Sequence, residues 1–172
     1  MKNKGLGGPR VPGGTGVPTH RTAAVSSSDT RSMTSANVDL VRSLYTAWER
    51  GDYSSDKWVH PEIEYVVADG PSPGRWTGLA GMVEGWRSLI SAWEGYRTEA
   101  DEFRALDDEH VLVFEHRSGR GKRSGLELGQ IQSKGAALFC VRDGKVTRLV
   151  TYLDRDRALA DLGLSPGLGP RS

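Results

Sequence analysis

The chain has 172 residues, 37% hydrophobic and 26% charged, with 23 basic against 22 acidic side chains and a net charge of +1. That length is one domain's worth, the balance of charge excludes the basic excess of a dedicated nucleic-acid binder, and no apolar run of about 18 residues or more offers a membrane span. The single cysteine, Cys140, can close neither an intrachain disulfide nor a cysteine zinc cluster, so a cytoplasmic protein is the expectation.

Residues 1–33 stand apart. They hold six Gly, three Pro and four Ser, and five basic residues against one acidic. Such a segment cannot bury enough apolar surface to offset its ordering entropy, so it reads as a disordered tail. It has no apolar stretch of signal-peptide kind. From Thr34 the pattern changes. Val38, Val41, Leu44, Tyr45 and Trp48 recur every three or four residues and predict a helix that Gly51 stops. A short second helix is expected to run to Trp58 and end at His60-Pro61. Glu62 to Asp69 alternates as a strand, with Ile63, Tyr65, Val67 and Asp69 on one face. Asp69-Gly-Pro-Ser-Pro-Gly74 is a loop. Met82, Val83, Trp86, Leu89, Ile90 and Trp93 then predict a third helix.

Strands follow. They are expected over residues 96–106, 111–116, 126–142 and 145–153. Gly129 and Gly135 mark bends in the third of these, and Asp143-Gly144 is a hairpin turn. A short helix over residues 155–162 closes the domain, and Ser165 to Ser172 is a flexible tail. Helices first and antiparallel strands after them make an α+β domain over residues 34–164.

Three stretches carry a resemblance. They are Leu44-Tyr45-Thr46-Ala47-Trp48-Glu49-Arg50-Gly51-Asp52, His60-Pro61-Glu62-Ile63-Glu64-Tyr65, and Trp76-Thr77-Gly78. With Arg142-Asp143-Gly144-Lys145-Val146 and Tyr152-Leu153-Asp154-Arg155 near the end, they resemble the nuclear-transport-factor-2-like superfamily, in its SnoaL-like branch, over about residues 36–164. The resemblance implies a cone-shaped fold: three N-terminal helices packed on a curved, mostly antiparallel sheet, a short C-terminal helix and an apolar pocket. It also implies a homodimer. The activities found in that superfamily include polyketide cyclases, ketosteroid isomerases and dehydratases beside non-catalytic binders.

Asp69 is the expected catalytic group. It lies nine residues before Gly78, a spacing similar to the general-base aspartate of ketosteroid isomerases. A carboxylate on an apolar wall can take a proton from carbon next to a carbonyl. An Asp before Gly-Pro is also an ordinary turn former. By the same resemblance Leu44 and Ala137 stand where those isomerases carry oxyanion donors, and Thr151 stands where SnoaL-type cyclases carry an acid. His116 is a second acid–base candidate; its neighbour Glu115 points to the opposite face of the strand. Trp58, Trp76, Trp86, Tyr65 and Tyr96 are expected to line a pocket for a flat ligand, with Gln130 and Gln132 offering hydrogen bonds. The cluster Arg117, Arg120, Lys122 and Arg123 reads as a solvated hairpin tip. His60, His110 and His116 lack ligand spacing, so no metal is expected. The reading at this level is a cofactor-free acid–base enzyme on a small hydrophobic carbonyl compound, with a non-catalytic binder of the same fold as the alternative.

Overall fold

The computed structural model describes residues 27–123 and 134–165. In chain order its elements are α1 (Ser27–Glu49), β1 (Val59–Val67), β2 (Gly74–Thr77), α2 (Gly78–Ile90), β3 (Trp93–Ala105), β4 (His110–Gly121), β5 (Lys134–Arg142), β6 (Lys145–Tyr152) and α3 (Arg155–Asp161). The strands form one mixed sheet in the order β2-β1-β6-β5-β4-β3. Among the described residues only β1 and β6 run parallel; the other neighbours are antiparallel. Among the described residues the architecture is therefore three helices on an open six-stranded sheet, with one helix before the sheet rather than three.

The differences from expectation have local causes. Helix α1 starts at Ser27, inside the stretch read as tail. It ends as expected: Gly51 takes a φ of 79°, and the Asp52 amide donates to the Ala47 carbonyl. No second helix forms before Trp58. Asp52 Oδ1 instead accepts from both the amide and the hydroxyl of Ser54, a local bond that competes with helix. The short strand β2 falls where a loop running into a helix was expected; its four residues are too few to show a period. Trp93 opens β3 rather than continuing the α2 stripe. Gly135 is no bend: β4 and β5 stay in register through it, opposite Glu115. The Asp143-Gly144 turn has both residues at positive φ, 50° and 72°, as a two-residue hairpin requires.

The sheet buries both faces at its centre. On one face α1 and α2 cover Val111, Val113, Ala137, Phe139 and Leu149, together with Ile63, Tyr65 and Val67 of β1. On the other, α3 covers Leu112, Phe114, Ala136, Leu138, Val150 and Tyr152. Asp154 caps α3 by accepting from the Asp156 amide at 3.0 Å. Adjacent residues of β4 thus enter different cores, and that places the candidate site.

Candidate functional site

Under α1 and α2 the sheet opens into two joined hollows. The inner one is a cavity of about 30 Å³, bounded by Tyr45, Tyr65, Tyr96, Thr98, Glu115, Arg117 and Thr151 among others. The outer one is a groove of about 470 Å³ walled by Trp58, Leu79, Met82 and Ile90, with Arg87 and Asp56 among its polar residues. Trp48, Tyr53, Trp86 and Tyr96 line both. The inner volume suits a single oxygen-sized group; the groove suits a ring system.

The strand period explains the polar floor. Val111 and Val113 of β4 point into the helix-covered core, so Glu115 and Arg117 follow on the same face. Both are buried. Arg117 Nη2 donates to Glu115 Oε1, and Arg117 Nη1 donates to the Tyr152 carbonyl at 3.0 Å. The Tyr45 hydroxyl donates to Glu115 Oε2 at 2.5 Å. Thr151 Oγ1 donates to the Tyr65 hydroxyl at 3.4 Å. Gly135 makes this possible, because a Cβ there would run into the Arg117 guanidinium and lie 2.5 Å from the Tyr152 carbonyl oxygen.

Electrostatics follow from burial. Desolvation pushes the Tyr45 phenol well above its ordinary value, and the adjoining Glu115 carboxylate adds to this. Burial likewise pushes Tyr65 up to about 12 and raises Tyr96. Burial opposes the Arg117 charge, but Glu115 and the facing phenols outweigh it and raise the guanidinium's pKa. The floor of the site is therefore a closed ion pair ringed by neutral phenols, of which Tyr45 donates to the carboxylate.

The expected site residues divide. Tyr65 and Tyr96 line the inner cavity; Trp58, Trp86 and Tyr96 line the groove. Trp58 is held there by its indole N–H, which donates to the Ser55 carbonyl at 2.8 Å. Trp76 lies behind the site: its ring packs on Tyr65 at 5.8 Å in a slot left by Gly74, Gly81 and Gly85. Asp69 lines neither hollow. Its two carboxylate oxygens accept from the backbone amides of Leu153 and Asp154, at 2.6 and 3.0 Å, and tie the end of β1 to the chain entering α3. His116 sits on the opposite face of the sheet, bonded to Asp101 at 2.6 Å and to Glu99 at 3.0 Å. Gln130 and Gln132 lie outside the described residues. Among the described residues no group of three or more His, Cys, Asp or Glu could hold a metal ion, and no helix is long and apolar enough to cross a membrane.

Sequence reading missed Glu115, Arg117, Tyr45, Tyr53, Thr98 and Thr151 as site residues. The signal for the first two was parity with Val111 and Val113. It was masked because Leu112 and Phe114 between them are equally apolar, so either face of β4 could have been the inner one. Arg117, read as part of a solvated tip, is instead 4% exposed, because β4 runs on to Gly121. Tyr45, one residue from the position where isomerases carry a donor, delivers its phenol to the site from α1. Ala137 lines the cavity with no donor to offer.

Comparison with known proteins agrees with this fold. The family model described as SnoaL-like domain matches residues 41–149. No curated protein matches the chain. Similar solved structures include an NTF2-like protein of unknown function from Burkholderia pseudomallei, 19% identical with a TM-score of 0.60, covering 73% of this chain and 95% of that one. TerC, crystallised with polyporic acid, is 23% identical with a TM-score of 0.58, covering 74% and 97%. A protein from Jannaschia sp. CCS1 assigned as a SnoaL-like polyketide cyclase is 15% identical with a TM-score of 0.58, covering 77% and 94%. At these identities the likeness is one of fold.

Proposed function

The chain belongs to the SnoaL-like domain family, and from that premise we propose that it is an acid–base enzyme acting on a small, flat, carbonyl-bearing molecule, of cyclase, isomerase or dehydratase type. One observation supports this above the rest: a buried carboxylate, a guanidinium and three phenols meet at the floor of an aromatic groove. The ring body would lie against Trp48, Trp86 and Tyr53. The carbonyl oxygen would enter the inner cavity and accept from the Tyr65 and Tyr96 hydroxyls, which stay protonated at neutral pH. Donors aimed at an oxygen that gains charge in the transition state supply the largest share of such catalysis. Glu115 takes the place first given to Asp69 and His116 as the proton acceptor. Each of its oxygens accepts one bond in this structure, and a carboxylate oxygen has two lone pairs, so one remains on each for a proton from carbon.

A second reading has its own support. The Arg117 and Tyr45 bonds already engage both oxygens of Glu115 in a closed pair, which suits a binder that performs no chemistry. The experiment that separates the two uses 2-tetralone, a flat enolisable ketone, in heavy water, with polyporic acid as a binding probe read by tryptophan quenching. We expect both to bind, and wild type to speed deuterium uptake next to the tetralone carbonyl. Glu115→Gln should slow that uptake by about 10²–10⁴-fold while still binding. Binding with uptake at the buffer rate would replace the enzyme by the binder, and failure to bind either probe would remove the ligand class.

A further inference from the structure

Directly behind the Glu115–Arg117 pair, across the sheet, stands a second charged cluster built around Arg155, the first residue of α3. Its Nη2 donates to Asp101 Oδ2 at 2.7 Å and to the backbone carbonyl of Glu115 at 3.1 Å. Its Nε donates to the backbone carbonyl of Gly135 at 3.3 Å. Its guanidinium also lies 5.0 Å from the centre of the Phe114 ring. Glu115 and Gly135 are register partners across β4 and β5. They are also the two residues that fix the inner pair, one by supplying the carboxylate and the other by leaving room for Arg117.

We propose that Arg155 is a positioning residue: from the α3 side of the sheet it clamps the main chain at Glu115 and Gly135, thereby holds the Glu115–Arg117 pair in place, and through Asp101 makes that hold sensitive to the charge on His116. The chain of contacts is continuous. Asp101 gives one oxygen to Arg155 and the other to His116 Nδ1, while Glu99 faces His116 Nε2. The groups facing His116 are Asp101 and Glu99 from β3 and, in register across β5, Lys134; Arg155 of α3 reaches it through Asp101. With both ring nitrogens directed at carboxylates, the imidazolium satisfies both. A neutral ring has one N–H and satisfies one. Whichever nitrogen keeps its hydrogen, loss of that proton removes the positive charge beside Asp101 and so loosens the carboxylate that anchors Arg155.

The proposal rests on the preceding reading only for its catalytic consequence, because the inner pair can be observed without a substrate. The readout is the side-chain Nε–Hε signal of Arg117 in a nitrogen–proton correlation spectrum, followed beside the His116 imidazole as pH is raised. In wild type the Arg117 signal should shift with the same midpoint as His116. In folded Arg155→Ala it should no longer follow His116, and its exchange with solvent should quicken about tenfold as local protection falls. Asp101→Asn, which leaves Arg155 in place, should shift Arg117 in the same direction by less, and it serves if Arg155→Ala does not fold. Arg157→Ala, on the same helix and bonded to Asp161, should leave the signal unmoved. An Arg117 signal indifferent to Arg155→Ala and to Asp101→Asn would overturn the proposal, as would an equal response to Arg157→Ala. Because tetralone chemistry plays no part in this readout, its failure is separate from failure of the enzyme reading.

Discussion

Glu115 and His116 are neighbours in sequence, yet each faces a different medium. Glu115 is 3% exposed and paired with an equally enclosed guanidinium. The His116 side chain is 40% exposed, with partners that are also partly in water. The chemical groups are of the same kind on both faces: a carboxylate, a cation and hydrogen-bond donors. What differs is the dielectric around them. A buried pair loses several kcal/mol per ion in desolvation and recovers it only while the pair is intact. An exposed pair loses and gains little. The comparison teaches where this fold concentrates its electrostatic strain: on the face of β4 under α1 and α2, beside the cavity, and not on the face that carries His116.

The largest effect should come from splitting the inner pair. Arg117→Met leaves Glu115 buried without its counter-charge and should cost about 3–5 kcal/mol, read from urea unfolding. A loss under about 1 kcal/mol would put water beside Glu115 and erase the contrast. Asp69→Ala comes next. It removes the acceptor for the Leu153 and Asp154 amides and should cost about 1–3 kcal/mol. Deuterium uptake into tetralone should be unchanged, and a drop in uptake beyond about tenfold in a folded protein would return Asp69 to the chemistry.

The smallest effect belongs to the outer face. Bonding to Asp101, against the opposing pull of burial, raises the His116 pKa in the folded chain above its ordinary 6.5. A group raised in this way contributes stability that is full below the unfolded value and lost as pH rises through the folded one. The unfolding free energy read from urea should therefore decline as pH rises from about 6 upward, by less than about 1 kcal/mol in all given the exposure. His116→Asn should flatten that slope. Asp101 has the opposite sense. Burial alone would raise it, but Arg155 and His116 hold its carboxyl below the usual range, so its contribution is lost on acidification. A midpoint independent of pH in wild type would show that the outer cluster holds nothing.

Much of this was legible in the residues themselves. The Val38-to-Trp48 stripe, the alternation of Ile63, Tyr65 and Val67, the Asp143-Gly144 turn and the final helix each depend on local periodicity or on the φ of one or two residues, and such signals are written in sequence. So was the aromatic wall of Trp58, Trp86, Tyr65 and Tyr96. The short strand β2 was not, since four residues carry too little pattern against the glycines and prolines before them.

The site's chemistry belonged to a different level. Alternation showed that Glu115 and His116 part company, but with Leu112 and Phe114 as apolar as Val111 and Val113, it did not show which of the two goes inward. That choice was made when α1 and α2 packed on one face and α3 on the other. Asp69 has the same history: its spacing fits a base, and its partners, 84 and 85 residues away, make it a brace. Sequence determined most of the elements because their causes are local. Tertiary structure alone decided which carboxylate is dry, because burial is a property of everything packed around a residue and of nothing in the residue itself.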